Sequence, residues 1–269
     1  MKDTRYHILL TNDDGIQSPG LWAAAEALSR LGYVTVAAPR DQASGTGRSV
    51  PLGQDGRIQK ITLRIGQQDW PVYSIGGTPA QTVDHALLEL LPEKPDLVVS
   101  GINYGENLGE GVTASGTVGA ALEAASFGIP AIAASLELME NSYYQYSTTV
   151  DFSTAAYFTA YFAGRMLGGQ FLPDVDVLKV DVPAHATPQT PWRLARLSRA
   201  RYFEPVLKRK GALDEPGPLG YRILRDREKI EPGSDVDVLV YNHEVAVCPM
   251  SLDMTSRVSF EALDARLRG

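Results

Sequence analysis

The first part of the chain alternates short apolar runs with segments whose apolar residues recur at helical spacing. Residues 8–11 and 33–38 are typical of buried strands. Between them, leucines and alanines recur every three or four positions over 19–31, which predicts a helix with one apolar face. Ser18 and Pro19 suit its N-cap and its first position. This order of elements predicts two parallel strands joined by a helix.

The same alternation continues to about residue 182. Strands are expected at 96–100, 131–135 and 175–182, and helices at 79–91, 117–127 and about 148–168. Residues 57–65 and 71–75 alternate polar and apolar side chains, which predicts a β-hairpin inserted off the main sheet. The pattern therefore predicts an α/β fold, in which helices cover both faces of a mostly parallel sheet.

The pattern changes after Pro183, where proline and glycine recur at short intervals. Strand-like runs lie near 221–225 and 236–248, and a final helix ends near Leu267. Seven basic residues fall between positions 193 and 210. Such a run is typical of a solvated face, or of an arm that pairs with acidic groups of another subunit. Recruitment of an anionic substrate is the alternative.

The composition excludes several classes of protein. The 269 residues include 25 basic and 32 acidic side chains, which give a net charge of −7. This balance offers no attraction to nucleic-acid polymers or to anionic membranes. No apolar run approaches a membrane span, the N-terminus lacks a signal-peptide pattern, and the single Cys248 cannot form an internal disulfide. We therefore expect a cytoplasmic protein without membrane association.

Four polar clusters fall where the predicted topology brings strand ends together, and open α/β sheets bind ligands at that edge. The clusters are 12–15, 41–49, 100–107 and 115–117. Asp13 and Asp14 are adjacent carboxylates that repel each other, and a hard divalent cation such as Mg²⁺ or Mn²⁺ would explain their placement. A helix-capping turn closed by Gly15 is the alternative.

The other three clusters add neutral oxygen ligands and a helix terminus. Ser44 lies in a glycine-rich loop, and Asn103 offers an amide oxygen two residues beyond Gly101. Residues 115–117 begin a small-residue helix whose unpaired N–H groups would suit a phosphate. Taken alone, the clusters 12–15 and 100–107 are as consistent with a turn as with a site, whereas 41–49 favours a plain surface loop and 115–117 favours a simple helix cap. Their convergence at one edge favours a site.

Several common motifs of nucleotide-binding proteins and hydrolases are missing. The sequence contains neither G-x-x-x-x-G-K-[ST] nor G-x-S-x-G, which argues against a P-loop nucleoside triphosphatase and an α/β-hydrolase. Gly45-Thr46-Gly47 lacks the third glycine of a dinucleotide-binding loop. The four histidines lack metal-ligand spacing.

Several ordered motifs together resemble the SurE family of metal-dependent 5′-nucleotidases. They cover residues 7–136 densely and return at 233–235 and 249–255. The motifs are Leu9-Leu10-Thr11-Asn12-Asp13-Asp14-Gly15, Ala38-Pro39 with Ser44-Gly45, Gly77-Thr78-Pro79, Val98-Val99-Ser100-Gly101-Ile102-Asn103-Tyr104-Gly105, Ser115-Gly116-Thr117-Val118-Gly119-Ala120-Ala121 and Gly128-Ile129-Pro130-Ala131.

The resemblance implies a Rossmann-like three-layer sandwich that hydrolyses nucleoside 5′-monophosphates, with short polyphosphate as a further substrate. It implies a bound Mg²⁺ or Mn²⁺ whose ligands are Asp13, Asp14, Ser44 and Asn103. It assigns phosphate binding to Asn107, Ser115, Gly116 and Thr117. Asp13 and Asp14 are then the catalytic residues. Asp14 would orient or deprotonate the attacking water, and Asp13 as a covalent phosphoryl acceptor is the lesser alternative.

The resemblance also implies an assembly. It divides the chain into a catalytic core, residues 1–185, and an extended C-terminal oligomerisation arm with a final helix, residues 186–269. In this family such arms exchange between subunits, which implies a homodimer or a homotetramer. The Pro-rich, basic composition after Pro183 suits such an arm. A nucleoside monophosphate is the expected small-molecule partner.

The sequence departs from the family pattern at three places. Gln81-Thr82 stand where the family has Asp-Cys, Ala114 replaces a tyrosine before Ser-Gly-Thr, and Lys179 and Asp181 stand in a strand that is usually rich in asparagine. None of these changes touches the expected metal ligands. They keep open a catalytically weakened nucleotide-binding regulatory protein. A nucleotide-sugar transferase is a third class, which product analysis would separate from a phosphatase.

Overall fold

The computed structural model describes residues 5–65, 68–138, 150–169 and 172–269. The strands are β1 Tyr6–Thr11, β2 Gly32–Pro39, β3 Ile58–Ile65, β4 Gln68–Ile75, β5 Leu97–Tyr104, β6 Ala131–Leu136, β7 Val177–Val182, β8 Trp192–Leu194, β9 Phe203–Leu207, β10 Leu219–Ile223 and β11 Val245–Met250. The α-helices are α1 Pro19–Leu28, α2 Pro79–His85, α3 Gly116–Ser126, α4 Ser153–Leu167 and α5 Phe260–Arg268. Shorter helical turns span Ala86–Leu90, Gly109–Ala114, Arg227–Lys229 and Asp237–Tyr241.

A mixed sheet forms the centre of the described structure, with the strand order β3-β4-β2-β1-β5-β6-β7-β11-β8. Its middle is parallel, because β1 pairs with β2 and β5, and β6 pairs with β5 and β7, in that sense. β11 is antiparallel to β7. The parallel strands end at one edge, and this edge collects the polar clusters that follow them.

Helices cover both faces of this sheet. α1 and α4 pack on one face around Leu21, Leu28 and Phe162. α2 and α3 pack on the other face around Val83 and Val118. Because both faces are covered, central strands such as β6 are buried along their whole length. The structure is therefore the mostly parallel α/β sandwich that the sequence pattern predicts.

Two elements differ from the sequence prediction. The β3–β4 hairpin does not stand off the main sheet, because β4 pairs in parallel with β2 and extends the edge. Residues 237–241 form a helical turn inside the predicted strand 236–248. Ser234 starts that turn, since its carbonyl accepts from the Val238 N–H at 2.9 Å. The helix predicted from 148 begins at Ser153, and its first two predicted residues lie outside the described ranges.

The region after residue 185 contributes to the sheet and also extends away from it. β8 and β11 belong to the main sheet, whereas β9 and β10 form a separate two-stranded hairpin. A third apolar cluster includes Leu108, Tyr202 and Cys248 and joins this region to the core. α5 is exposed along its length. The role of residues 186–269 in oligomerisation stays a prediction.

None of the helices in the described ranges is both long enough and apolar enough to span a membrane.

Candidate active site

A cleft of about 680 Å³ lies at the carboxyl edge of β1, β2 and β5. Five of the eight predicted site residues line it: Asp13, Ser44, Asn103, Asn107 and Ser115. The other three, Asp14, Gly116 and Thr117, directly contact residues at this edge. The sequence-predicted clusters therefore meet at one place.

A larger groove of about 820 Å³ lies in the C-terminal region and contains none of these residues. Its lining includes Arg201, Lys229 and Glu231. Several of these charges are engaged within the chain, because Lys229 pairs with Asp226 and Glu231 accepts from the Ser198 hydroxyl. The groove therefore lacks the chemistry that converges in the smaller cleft.

Asp13 is the most constrained carboxyl group of the cleft. Burial, and next the neighbouring Asp14, raise its pKa to about 7, although hydrogen bonds from Thr117 act in the opposite direction. The Thr117 hydroxyl donates to Asp13 Oδ1 at 2.5 Å. The Asp13 carbonyl accepts from the Ala43 N–H at 2.8 Å, which ties the loop containing Ser44 to the end of β1.

Asp14 faces the end of β5 and is 7% exposed. Its Oδ2 accepts from the Tyr104 N–H at 2.9 Å. The turn that holds both aspartates requires Gly15, which has φ +92° and whose Cβ would lie 3.3 Å from the Asp41 backbone. The Asn12 amide donates to the Gly15 carbonyl at 3.0 Å and closes the turn. The capping turn and the carboxylate pair are therefore parts of one feature.

Ser44 and Asn103 present neutral oxygens to the same cleft. The Asn103 amide nitrogen donates to the Gly105 carbonyl at 2.7 Å, which leaves its Oδ1 as the atom for a ligand. Ser44 is exposed, and its hydroxyl accepts from the Gln42 amide at 2.9 Å.

The oxygen atoms of Asp13, Asp14 and the two neutral side chains are the kind of ligand that a hard cation prefers. Burial, and next the adjacent Asp14 carboxylate, raise the pKa of Asp13, and a cation bound between the two carboxylates would offset both effects. The buried Asn12 Oδ1 beside them has no hydrogen-bond partner in the described structure. Within the described ranges no three His, Cys, Asp or Glu side chains cluster as metal ligands. The candidate set is thus two carboxylates completed by a hydroxyl and an amide oxygen, which fits Mg²⁺ or Mn²⁺.

The N-terminus of α3 lies against Asp13. The Ser115 hydroxyl caps the helix by accepting from the Val118 N–H at 3.1 Å. A Cβ on Gly116 would lie 2.7 Å from the Asp13 Cβ and 2.9 Å from Oδ2, so glycine is what permits this approach. Thr117 donates hydrogen bonds to Asp13 from both its hydroxyl and its backbone N–H. Ser115 and Gly116 are therefore the residues of this turn best placed for a phosphate.

The loop that carries Asn107 is anchored to the neighbouring strands. The Asn107 side-chain amide donates to the Ser135 hydroxyl of β6 at 2.9 Å. Its backbone N–H donates to Asp181 Oδ1 at 2.8 Å, and its carbonyl accepts from Lys179 Nζ at 2.7 Å. Both charged residues lie on β7 and are fully buried.

Phe203 and Tyr221 also line the cleft, and the sequence analysis did not single them out. They belong to β9 and β10, and their rings meet edge to face with centroids 5.5 Å apart. No motif marks them, because their approach to the cleft depends on how the hairpin packs. Lys179 and Asp181 did carry a signal, since charges interrupt an apolar strand there.

The basic run has a partly local explanation. Arg193 pairs with Glu244 at 2.8 Å, and Arg201 lies 3.6 Å from Glu110. Arg209 donates to backbone carbonyls of its own loop. None of the residues in the run lines the cleft that contains the aspartates.

Comparison with known proteins identifies the family. The family model for the survival protein SurE matches residues 8–204. A protein from Thermococcus gammatolerans named 5′-nucleotidase SurE is 42% identical over 266 residues, covering 97% of this chain and 96% of that protein. A protein of the same name from Methanosarcina barkeri is 38% identical over 268 residues, covering 97% of each.

A solved structure agrees with the sequence comparisons. The crystal structure of the SurE protein from Aquifex aeolicus matches with a TM-score of 0.75 and 30% identity, covering 97% of this chain and 99% of that chain. The fold and the motif resemblance are both confirmed. The chain belongs to the SurE family.

Proposed function

We propose that this protein is a metal-dependent phosphatase that hydrolyses nucleoside 5′-monophosphates to a nucleoside and phosphate. The observation that carries the proposal is the contact between Asp13, one of two adjacent buried aspartates, and the N-terminus of α3. A cation-binding group and a phosphate-binding group are what a phosphomonoesterase must bring together. The name 5′-nucleotidase carried by close relatives supports the same substrate class.

The proposed metal ligands are Asp13, Asp14, Ser44 and Asn103. When bound, Mg²⁺ or Mn²⁺ supplies Lewis-acid polarisation of the phosphoryl group and lowers the pKa of a coordinated water. The chain's contribution is to hold these ligands rigid. Thr117 fixes Asp13, the Tyr104 N–H fixes Asp14, and the Gly105 carbonyl orients the Asn103 amide.

The other groups act on the substrate and the attacking water. The Gly116 N–H at the start of α3 stabilises the equatorial phosphoryl oxygens as charge develops on them, and the Ser115 hydroxyl adds a donor beside it, because the Ser115 N–H already donates to the Val112 carbonyl. Asn107 lines the same cleft and is proposed to contact the phosphate there. Asp14 orients or deprotonates the water. Asp13 is a poorer nucleophile in this geometry, because Thr117 already occupies its Oδ1.

The aromatic wall, which we define as Phe203 and Tyr221, is proposed to contact the nucleoside base. It lies at the same cleft as Ser115 and Asn107. Base-to-aromatic contacts tolerate different bases, because every base presents an apolar face. The wall also supplies aromatic surface at a cleft where Ala114 offers none.

Two finer parts of the proposal follow from the open shape of the site and the chain's surface. The cleft has room for short polyphosphate as a second substrate.

α5 exposes Phe260, Leu263 and Leu267, at 66%, 40% and 77%, respectively. Apolar groups arranged in this way support the proposed homodimer or homotetramer formed through the C-terminal arm. We also propose that the protein works in the cytoplasm.

The test is phosphate release from AMP, GMP and CMP with Mg²⁺ or Mn²⁺, repeated with chelator and with Asp14→Ala. We expect phosphate and nucleoside as products, with turnover lost on chelation and in the variant. Turnover without metal, or full activity of Asp14→Ala, would contradict the proposal. Tight nucleotide binding without phosphate release would instead identify a regulatory protein, and release of a nucleoside diphosphate would identify a transferase.

A further inference from the structure

A fully buried ion cluster lies behind the Asn107 loop, formed by Lys179, Asp181 and Asp235. Lys179 Nζ contacts the Asp181 carboxylate, lies 3.2 Å from Asp235 Oδ2 and donates to the Asn107 carbonyl at 2.7 Å. An ammonium group has three donors, and here three oxygens surround it. The lysine is therefore satisfied only while the Asn107 loop stays in place.

The two carboxylates of the cluster also bind the loop. Asp181 Oδ1 accepts from the Asn107 N–H at 2.8 Å. Asp235 Oδ2 accepts from the Gly109 N–H at 2.9 Å, and its Oδ1 accepts from the Ser198 N–H at 2.9 Å. The backbone of Asn107 is thus held at both its N–H and its carbonyl, and the loop is tied to the C-terminal region through Asp235.

Stability alone explains this cluster poorly. Taking three charges out of water is costly, and well-packed apolar residues often do as well or better. Charge-assisted hydrogen bonds, by contrast, are short and directional, so they fix geometry.

We propose that Lys179 is a positioning residue that, together with Asp181 and Asp235, fixes Asn107 for phosphate binding. The inference rests on the proposed function, in which Asn107 contacts the phosphate. Lys179 touches neither the cleft nor the expected metal ligands, so it acts through Asn107. It follows that loss of the ammonium group weakens binding of phosphate and leaves binding of the metal unchanged.

The experiment compares Lys179→Met with wild type, using inorganic phosphate as the probe. Calorimetric titration gives the Kd of phosphate in the presence of Mg²⁺, and a second titration gives the Kd of Mn²⁺. We expect the phosphate Kd and the KM for AMP to rise about 10-fold, the scale of one hydrogen bond to a charged group. The Mn²⁺ Kd should stay within about twofold, because the cluster does not contact Asp13 or Asp14.

A double-mutant cycle separates positioning from general destabilisation. In an Asn107→Ala background, Lys179→Met should no longer change the phosphate Kd, because the side chain that it positions is gone. Leu28→Ala, in the core under α1, is the matched control and should lower Tm without changing either Kd. If Lys179→Met does not fold, Asp181→Asn and the Lys179→Asn/Asp181→Asn pair take its place in the same measurements.

The outcomes are distinct. A lower Tm with unchanged phosphate Kd and KM in the Lys179 or Asp181 variants would overturn the positioning role, as would an equal effect in the Asn107→Ala background. Wild-type protein that binds phosphate but releases none from AMP would refute the proposed function, while the calorimetric comparison would still decide the role of Lys179.

Discussion

Two pairs of buried carboxylates lie close to the same sheet, and one of these pairs shares a buried lysine. Asp181 and Asp235 share Lys179, whereas Asp13 lines a cleft with no basic side chain among its lining residues. The first cluster combines one ammonium group with two carboxylates, and together they hold the Asn107 loop. The second is where we propose that a divalent cation binds. Aspartates therefore hold a loop in one pair and, as we propose, bind a metal ion in the other.

The largest expected effect comes from neutralising one carboxylate of the Asp13–Asp14 pair. Asp14→Asn should lower kcat/KM for AMP by at least about 10³-fold, because it removes a proposed metal ligand and the group that handles the water. The variant should keep or raise Tm, since it relieves repulsion with Asp13. Steady-state kinetics and calorimetric melting check both expectations, with the exposed Asp214→Asn as a matched control. Retained activity would contradict the assignment.

The cluster that contains Lys179 should lose stability when it is mutated, whereas Asp14→Asn should keep or raise Tm. Lys179→Met removes the ammonium group and leaves two buried carboxylates without it. This change should lower the unfolding free energy by about 3–5 kcal/mol. Neutralising the pair with Lys179→Met/Asp181→Asn should recover part of that loss, because less uncompensated charge remains. Denaturant unfolding measures both variants. A double variant less stable than either single one would show that the charges do not act as a unit.

Gly116 tests the contact between α3 and Asp13. Gly116→Ala places a methyl group 2.7 Å from the Asp13 Cβ, so either the helix terminus or the aspartate must move. We expect activity to fall about 10-fold or more and unfolding free energy to fall by about 1–3 kcal/mol. The control is Gly164→Ala in α4, where the nearest atom is 3.7 Å away. That helical substitution should gain about 0.5–1 kcal/mol without changing kinetics.

The smallest effect concerns the aromatic wall. Phe203→Ala should raise KM for AMP by about 5- to 10-fold, near the lower end of the range for loss of a base contact. Hydrolysis of ribose 5-phosphate, which has no base, should change little. Phe203→Tyr is the conservative control and should keep most of the affinity for AMP. An equal loss with both substrates would place Phe203 in the structure of the cleft rather than in base recognition.

Most of the parallel core, and the position of the Asp13–Asp14 pair, could be predicted from the sequence. The helical spacing of apolar residues and the N-cap residues predicted α1 and α3. The predicted ends of the parallel strands indicated that Asp13 and Asn103 lie at one cleft. This worked because local patterns and topology agree in that half of the chain. The hydrogen bonds within the site, such as Thr117 to Asp13, depend on packing between elements and have no local signal.

Two features of the C-terminal half could not be predicted from the sequence. Asp235 follows a turn motif, Gly233-Ser234-Asp235, but nothing local indicates that it meets Lys179 in the core. Residues 237–241 have strand-like composition and form a helical turn, because Ser234 caps it and the apolar side chains pack against the core. Long-range contacts decide both outcomes.

The most direct test of the comparison is one calorimetric series in which Mn²⁺ is titrated into metal-free wild type, Asp14→Asn and Lys179→Met. The account predicts stoichiometric binding to wild type, loss of that binding in Asp14→Asn and nearly unchanged binding in Lys179→Met. Equal Mn²⁺ affinity in wild type and Asp14→Asn would contradict it, because the Asp13–Asp14 pair would then not be the cation site.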